Sequence, residues 1–243
     1  MDNKKARYDL LVVAGLSGAG KSVFVSQLAS RQLPAHIMAE LPPGAENWRQ
    51  LKRSPYDFYA ESGEIIPGLI FECTIGSPHF ARKFVVVAND EQSVHLFDWA
   101  SSITIVHLKP TAERLLDQIS HRRRAHRLKY ASADGSTLLG AFAAAVEGRL
   151  DIAKKHLAWL FAFYFGYTRR KLEALENRTA WKRRKYQRRG FVESAYERWE
   201  DYVRRASAHK GPIKEIFVRP ARDAIPGEDI RWERARPSVS RDV

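Results

Sequence analysis

The stretch Gly15-Leu16-Ser17-Gly18-Ala19-Gly20-Lys21-Ser22 decides the fold. It satisfies a pattern of Gly, four residues, then Gly-Lys-Ser, and its flanks are those such a loop requires. Ahead of it, Leu10-Leu11-Val12-Val13-Ala14 is a short apolar run that reads as a buried strand. Behind it, Ser22 to Ser30 has helix-forming composition apart from the β-branched Val23 and Val25. A strand, a glycine turn and a helix start gather backbone N–H groups around one spot, at the positive end of a helix dipole. Gly15, Gly18 and Gly20 are expected to supply positive-φ turns and to let the main chain approach a phosphate with no Cβ in the way. Lys21 is placed to reach the outer phosphates of a nucleotide, and the Ser22 hydroxyl to complete the shell of a Mg²⁺ ion. The expected nucleotide-binding set is therefore Gly15, Ser17, Gly18, Ala19, Gly20, Lys21 and Ser22. An incidental lysine in a glycine-rich turn would leave the matching flanks unexplained.

Downstream, Gln32 to Leu41 reads in two ways. Ala35 to Ala39 is either a second strand with Glu40 at its carboxyl end or, slightly favoured, a short helix opened by Pro34 and ended by Pro42-Pro43-Gly44. Residues 44–67 are polar and mixed, a loop-rich segment suited to an acceptor-binding lobe. Gly68 to Thr74 is a buried strand, and Phe84 to Ala88 reads as another, ending at Asn89-Asp90. Gln92 to Trp99 suits a short helix, Ile103 to Leu108 a strand, and Pro110-Thr111 the cap of a helix running to about His121. Strands and helices alternating behind such a loop predict an α/β fold of three layers, a mostly parallel sheet covered on both faces.

The character changes after Tyr130. Ala131 to Ser136 is linker-like, and from Thr137 the residues Leu138, Phe142, Val146 and Leu150 recur every four positions. Ala153, Leu157, Leu160, Phe161 and Tyr164 continue the stripe, which predicts one long amphipathic helix with an apolar face to bury. From Arg169 to Arg189 there are ten lysines and arginines against only Glu173 and Glu176. A further helix from Phe191 to about Ser207 turns Trp199, Tyr202 and Val203 toward a core, Ile213 to Val218 is a late strand, and the tail from Arg219 reads as irregular. The expected organisation is a nucleotide-binding core over 1–130, a basic helical extension or lid over 131–210, and a strand and tail over 211–243 returning to the core.

With 44% hydrophobic and 28% charged residues this is an ordinary globular composition, and the single cysteine excludes an internal disulfide framework. The apolar run after Met-Asp-Asn-Lys-Lys-Ala-Arg is the strand feeding the loop rather than a secretory signal. No run is long enough to span a bilayer, and a cytoplasmic location is expected. The net charge of +13 calls for a partner of opposite sign, and its clustering argues against a basic surface kept only for solubility.

Phosphoryl transfer needs positioning, a metal and positive charge more than covalent chemistry. The expected Mg²⁺ carboxylate is Glu72, inside its apolar run and therefore in need of a partner, with Asp90 second. Glu40 is a candidate base only if residues 35–39 form a strand. Arg122, Arg123, Arg124 and Arg127, just after the helix behind strand Ile103–Leu108, are candidate lid arginines; Arg123 and Arg127 carry the expectation, against a plain basic helix end. His36, His79, His95 and His107 have no ligand spacing, so no metal is assigned to them. Arg169, Arg170, Lys182, Arg183, Arg184 and Lys185, interleaved with Trp181 and Tyr186, would attract a polyanion. Nucleic acid, an anionic glycan and a membrane surface all suit that charge, as does a solvated face with no partner.

The loop, the strand-Pro-helix unit Ile103–Ile119 and the arginine cluster resemble the small-molecule kinases of the phosphate-loop class: gluconate, shikimate, adenylylsulfate and nucleoside monophosphate kinases. The resemblance covers roughly residues 8–130 and implies ATP and Mg²⁺ at Gly15–Ser22, Arg122–Arg127 as a lid, and transfer of the γ-phosphoryl group to a hydroxyl of a polar acceptor, a saccharide or nucleic acid among them. The chain departs from those kinases in offering only Glu40 where they carry an Asp-containing motif after the second strand, and in its large basic extension. The segment Asp90 to Leu116 is also similar to phosphate-loop proteins of bacterial surface-polysaccharide clusters. Two other readings compete: a sulfotransferase using a sulfated adenylate, whose loop rarely keeps the full Gly-Lys-Ser spacing, and a nucleic-acid-binding protein regulated by nucleotide, a phage-type kinase of DNA bases combining the two activities. A GTPase switch is disfavoured, because no Asn-Lys-x-Asp motif occurs.

Overall fold

Leu10 to Ala14 are too apolar to leave at a surface, and they are buried in β1 (Tyr8–Gly15), which runs between two parallel neighbours. The structure, a computed structural model, describes residues 8–51, 68–77, 79–87, 93–131, 142, 145–148, 150, 153–154, 157, 167–221 and 230–235. After β1 come α1 (Lys21–Ala29), α2 (Ala35–Met38), β2 (Arg49–Leu51), β3 (Gly68–Thr74), β4 (Val85–Val87), β5 (Ser93–His95), α3 (Leu96–Trp99), β6 (Ala100–Leu108) and α4 (Ala112–Ala131). Then follow α5 (Tyr167–Gln187), α6 (Phe191–Lys210), β7 (Lys214–Pro220) and β8 (Trp232–Arg234). Six strands form one sheet in the order β2-β3-β1-β6-β7-β8, parallel throughout except for the last pair. The chain is thus α/β with a mostly parallel sheet, as expected.

The chain divides into two units, Met1–Leu115 with Arg189–Val243, and Leu116–Arg188. In the first, alternation along the strands sorts the two faces of the sheet. Glu72, Val13, Val106 and Ile216 share one row of the register, and Glu72 meets Ser22 at the start of α1. His107, in the next row with Ala14, Cys73 and Phe217, accepts a bond from Trp199 of α6. So α1 and α6 cover opposite faces. On the α6 side the ring of Phe84 lies 5.1 Å from Phe71, 5.0 Å from Phe97 and 6.0 Å from Trp199, edge-on to the first two and stacked on the third. Such pairs add about 0.5–1.5 kcal/mol each beyond the area they bury.

The Trp199 indole N–H donates to His107 Nδ1 at 3.0 Å, which leaves the ring proton on Nε2, 2.9 Å from the Glu215 carboxylate but poorly aligned with it. His107 is fully buried. Trp199→Phe keeps most of the ring's volume but orphans Nδ1, and is expected to cost about 2 kcal/mol. The urea midpoint should fall with its slope unchanged; an unchanged midpoint would show the bond to be dispensable.

Several expectations are corrected. Phe84–Ala88 does not join the parallel sheet: Phe84 closes a 3-10 turn (Phe80–Phe84), and β4 pairs antiparallel with β5 in a separate two-stranded sheet. Among the described residues 93–99 only α3 is helical, because His95 is extended and its Nδ1 accepts from the Phe97 N–H, capping the helix there. Helix α4 does not stop near His121 but runs to Ala131, since the arginines after His121 are good helix formers. The tail is not wholly irregular, as β8 pairs with β7. Helix α6, expected within the 131–210 extension, falls in the first unit.

In the second unit the predicted single amphipathic helix is interrupted. Glu147 and Gly148 form a turn, with Gly148 left-handed at φ 72°, and a helix does not continue through that conformation. Phe142, Val146, Leu150 and Leu157, expected to bury a face, are exposed. Leu138, Leu160, Phe161, Tyr164 and most of the expected linker lie outside the described residues. Helix α5 carries the basic run as expected. Among the described residues no helix is long and apolar enough to cross a membrane.

Candidate phosphate-binding site

At the carboxyl end of β1 the chain turns through residues 16–20 and enters α1 at Lys21. Two of the three glycines take the expected backbone: φ is 97° at Gly18 and 88° at Gly20, where an L side chain is strained. Gly15 does not; it is needed instead for space, because a Cβ there would stand 2.9 Å from the Ala19 Cβ and 3.2 Å from the Leu108 Cβ. The Ala19 N–H donates to the Leu16 carbonyl at 3.0 Å, closing the turn, and Ile75 N–H bonds Gly15 O at 3.2 Å. Gly20 is the N-cap of α1, so no side chain caps the first-turn amides, and no acidic residue lies in that turn. A helix start of this kind favours an anion.

Lys21 is buried, and its ammonium donates to the carbonyl oxygens of Gly15 at 3.1 Å and Leu16 at 3.0 Å. Both acceptors belong to the loop itself, so the positive charge is held inside the ring of backbone that the loop forms. The Ser22 hydroxyl donates to Glu72 Oε2 at 3.0 Å, across 50 positions of sequence. The other carboxylate oxygen, Oε1, accepts from the Gln50 amide at 2.6 Å. The partner that a half-buried Glu72 needed is therefore twofold, a hydroxyl from α1 and an amide from β2. Gln50 was missed in the sequence. It lies in a three-residue edge strand without an apolar run, whose place is fixed only by the register Gln50–Ile70 with β3.

A second support for the loop also went unseen. Were Gly20 to carry a Cβ, it would stand 3.0 Å from Trp232 Cη2 and 3.2 Å from Ile230 Cδ1. Gln27 of α1 ties both residues down: its amide donates to Ile230 O at 3.1 Å and its oxygen accepts from the Trp232 indole N–H at 2.6 Å. The Trp232 ring also meets Phe24 edge-on, with centroids 5.3 Å apart. The last strand of the sheet thus lies directly against the loop-to-helix junction.

The other candidate residues do not gather here. Residues 35–38 are helical, which removes the condition on Glu40, and that carboxylate is engaged in an ion pair with Arg234. Asp90 lies outside the described residues, as do residues 52–67 of the expected acceptor lobe. Arg122, Arg123, Arg124 and Arg127 sit on α4 rather than in a loop beyond it, with side chains outside the described ones. Of the basic set, Arg170, Arg183 and Arg184 are exposed, Lys182 and Lys185 half-buried, and the Arg169 side chain is not among those described.

Among the described residues no cluster of three or more His, Cys, Asp or Glu can hold a metal. The pair Ser22 and Glu72 suits a hard cation that takes most of its ligands from phosphate and water, which is how Mg²⁺ is usually bound. No protein-family model, no curated protein and no solved structure matches the chain. The functional reading rests on these residues.

Proposed function

We propose that the chain is an ATP-dependent phosphotransferase of the phosphate-loop class. The observation that carries this reading is the convergence of Lys21, Ser22 and Glu72 at one helix start, a buried ammonium beside a hydroxyl–carboxylate pair. The order β3-β1-β6, all parallel, puts the loop at the carboxyl edge of the sheet, where open α/β sheets take their ligands. The amides of residues 18–22 would grip the β-phosphate, with Lys21 exchanging its two loop carbonyls for phosphate oxygens. Ser22 and Glu72 would hold Mg²⁺, and Gln50 would orient the carboxylate that does so. When bound, Mg²⁺ neutralises charge on the β- and γ-phosphates during transfer. The acceptor is a hydroxyl of a polar substrate.

The test is a melting-point panel with ATP, with and without Mg²⁺, and a 3′-phosphorylated, sulfated adenylate. A ligand that binds only the folded state at 100 times its Kd adds about 2.7 kcal/mol, a shift of several degrees. ATP should raise the melting point with Mg²⁺ and far less without it. In Glu72→Gln the two ATP conditions should give the same shift, because the carboxylate charge is gone. Absence of any nucleotide shift, or preference for the sulfated adenylate, would overturn the assignment.

A further inference from the structure

Helix α5 presents a face that the nucleotide site does not use. Residues 170, 174, 177, 181 and 184 recur at intervals of three and four, so they share one side of the helix, and every one of them is exposed. They are Arg170, Ala174, Asn177, Trp181 and Arg184. The opposite side, Leu175, Thr179, Lys182 and Tyr186, is half-buried to buried. Of the two aromatics in the basic run, Tyr186 therefore belongs to the interior, while Trp181 is 58% exposed.

An indole on the solvent side of a charged helix is unusual, because burial is where its large apolar area is stabilising. Here it is bracketed by Arg178 and Arg184, three residues away on either side, about 4.5 Å along the axis. Arg170, Arg178, Arg183 and Arg184 take part in no ion pair among the described residues, so their charge is uncompensated at short range. Lys185 holds its ammonium 4.7 Å from the centre of the Trp181 ring, a cation over one face of an indole that is more than half exposed.

We propose that this face of α5 binds single-stranded nucleic acid, with a base stacked on Trp181 and the backbone phosphates on Arg178 and Arg184. Stacking needs an unpaired base whose π-face is open, and the guanidiniums need phosphates spaced along the strand on both sides of it. A duplex keeps its bases stacked inside and offers the indole nothing comparable. A lipid surface would demand a wide apolar stripe, whereas the neighbours of Trp181 on its own face are Arg, Asn and Ala. A sulfated glycan would load the cations but has no π-face for the indole. The binding stands or falls independently of nucleotide turnover at Lys21.

The experiment uses the full chain and fluorescence anisotropy of labelled 12-nucleotide oligo-dT and oligo-U, with a hairpin duplex and heparin as competitors. Trp181→Ala should weaken single-strand binding about tenfold at fixed salt. Trp181→Phe, which keeps a π-face, should restore most of it. The double variant Arg178→Gln, Arg184→Gln should flatten the slope of log K against log salt by about 1.4, at roughly 0.7 for each phosphate no longer neutralised. Since Arg178, Trp181 and Arg184 are all exposed, circular dichroism should be unchanged in each variant. Unchanged affinity in Trp181→Ala, or heparin or duplex competing as well as single strand, would overturn the proposal and leave a general polyanion surface in its place.

Discussion

Lys21→Ala is expected to lower nucleotide turnover by about two to three orders of magnitude, the scale on which removing one aimed charge or donor acts. The reason is specific to where the ammonium sits. It is buried and bonded to Gly15 O and Leu16 O, so the ring of backbone is organised around a positive charge before any phosphate arrives. Alanine removes the charge and one of the two donors to each of those carbonyls, leaving Ile75 N–H on Gly15 O and Ala19 N–H on Leu16 O, so the cost in stability is only about 1 kcal/mol. The two losses separate by measurement. Melting without nucleotide reads the second, and turnover at a temperature where both proteins are folded reads the first. Lys21→Met, which refills the volume without the charge, should recover part of the stability and none of the activity. Normal turnover in folded Lys21→Ala would remove the proposed mechanism.

The residues that were legible in the sequence are those whose partners are local or whose chemistry is costly to leave alone. Leu10 to Ala14 followed by Gly15–Ser22 states a strand, a turn and a helix start within 13 positions, and all three are present. Glu72 stood out because a carboxylate within Leu69-Ile70-Phe71 demands a partner, and it has two. The α6 face read correctly because Trp199 and Val203 are four apart and both buried. What was illegible depends on distant pairing. Val85-Val86-Val87 has the composition of a central strand, but composition cannot state that its neighbour is Ser93–His95 running the other way. Gln50 lies in a strand of three residues that only β3 defines. The stripe from Phe142 to Leu157 misled because its period of four continues across Gly148, while the backbone there turns.

Trp232 shows the same limit most sharply, since Arg231-Trp232-Glu233-Arg234 reads as a charged tail while its indole is 2% exposed. Trp232→Ala is expected to cost about 3–5 kcal/mol, the range for emptying a buried aromatic site. At about 2–4 °C per kcal/mol for a protein of this size, the melting point should fall by roughly 6–20 °C. The loss has a second part that reaches the loop. The ring is the surface on which Gly20 rests, and its N–H bond to Gln27 Oε1 holds α1 to β8. Three residues of β8 paired to β7 give little independent hold, so removing the ring should free the strand end and loosen the turn that presents the first-turn amides. MgATP affinity should therefore fall even where the variant remains folded. Trp232→Phe keeps the apolar body and its edge-on approach to Phe24 but loses the N–H, so it should lose about 1–2 kcal/mol and retain most of the affinity. If Trp232→Ala melted like the unaltered protein, the terminal strand could not be seated against the loop. If it melted early but bound MgATP unchanged, the loop would hold its shape through Lys21 and its own backbone bonds alone.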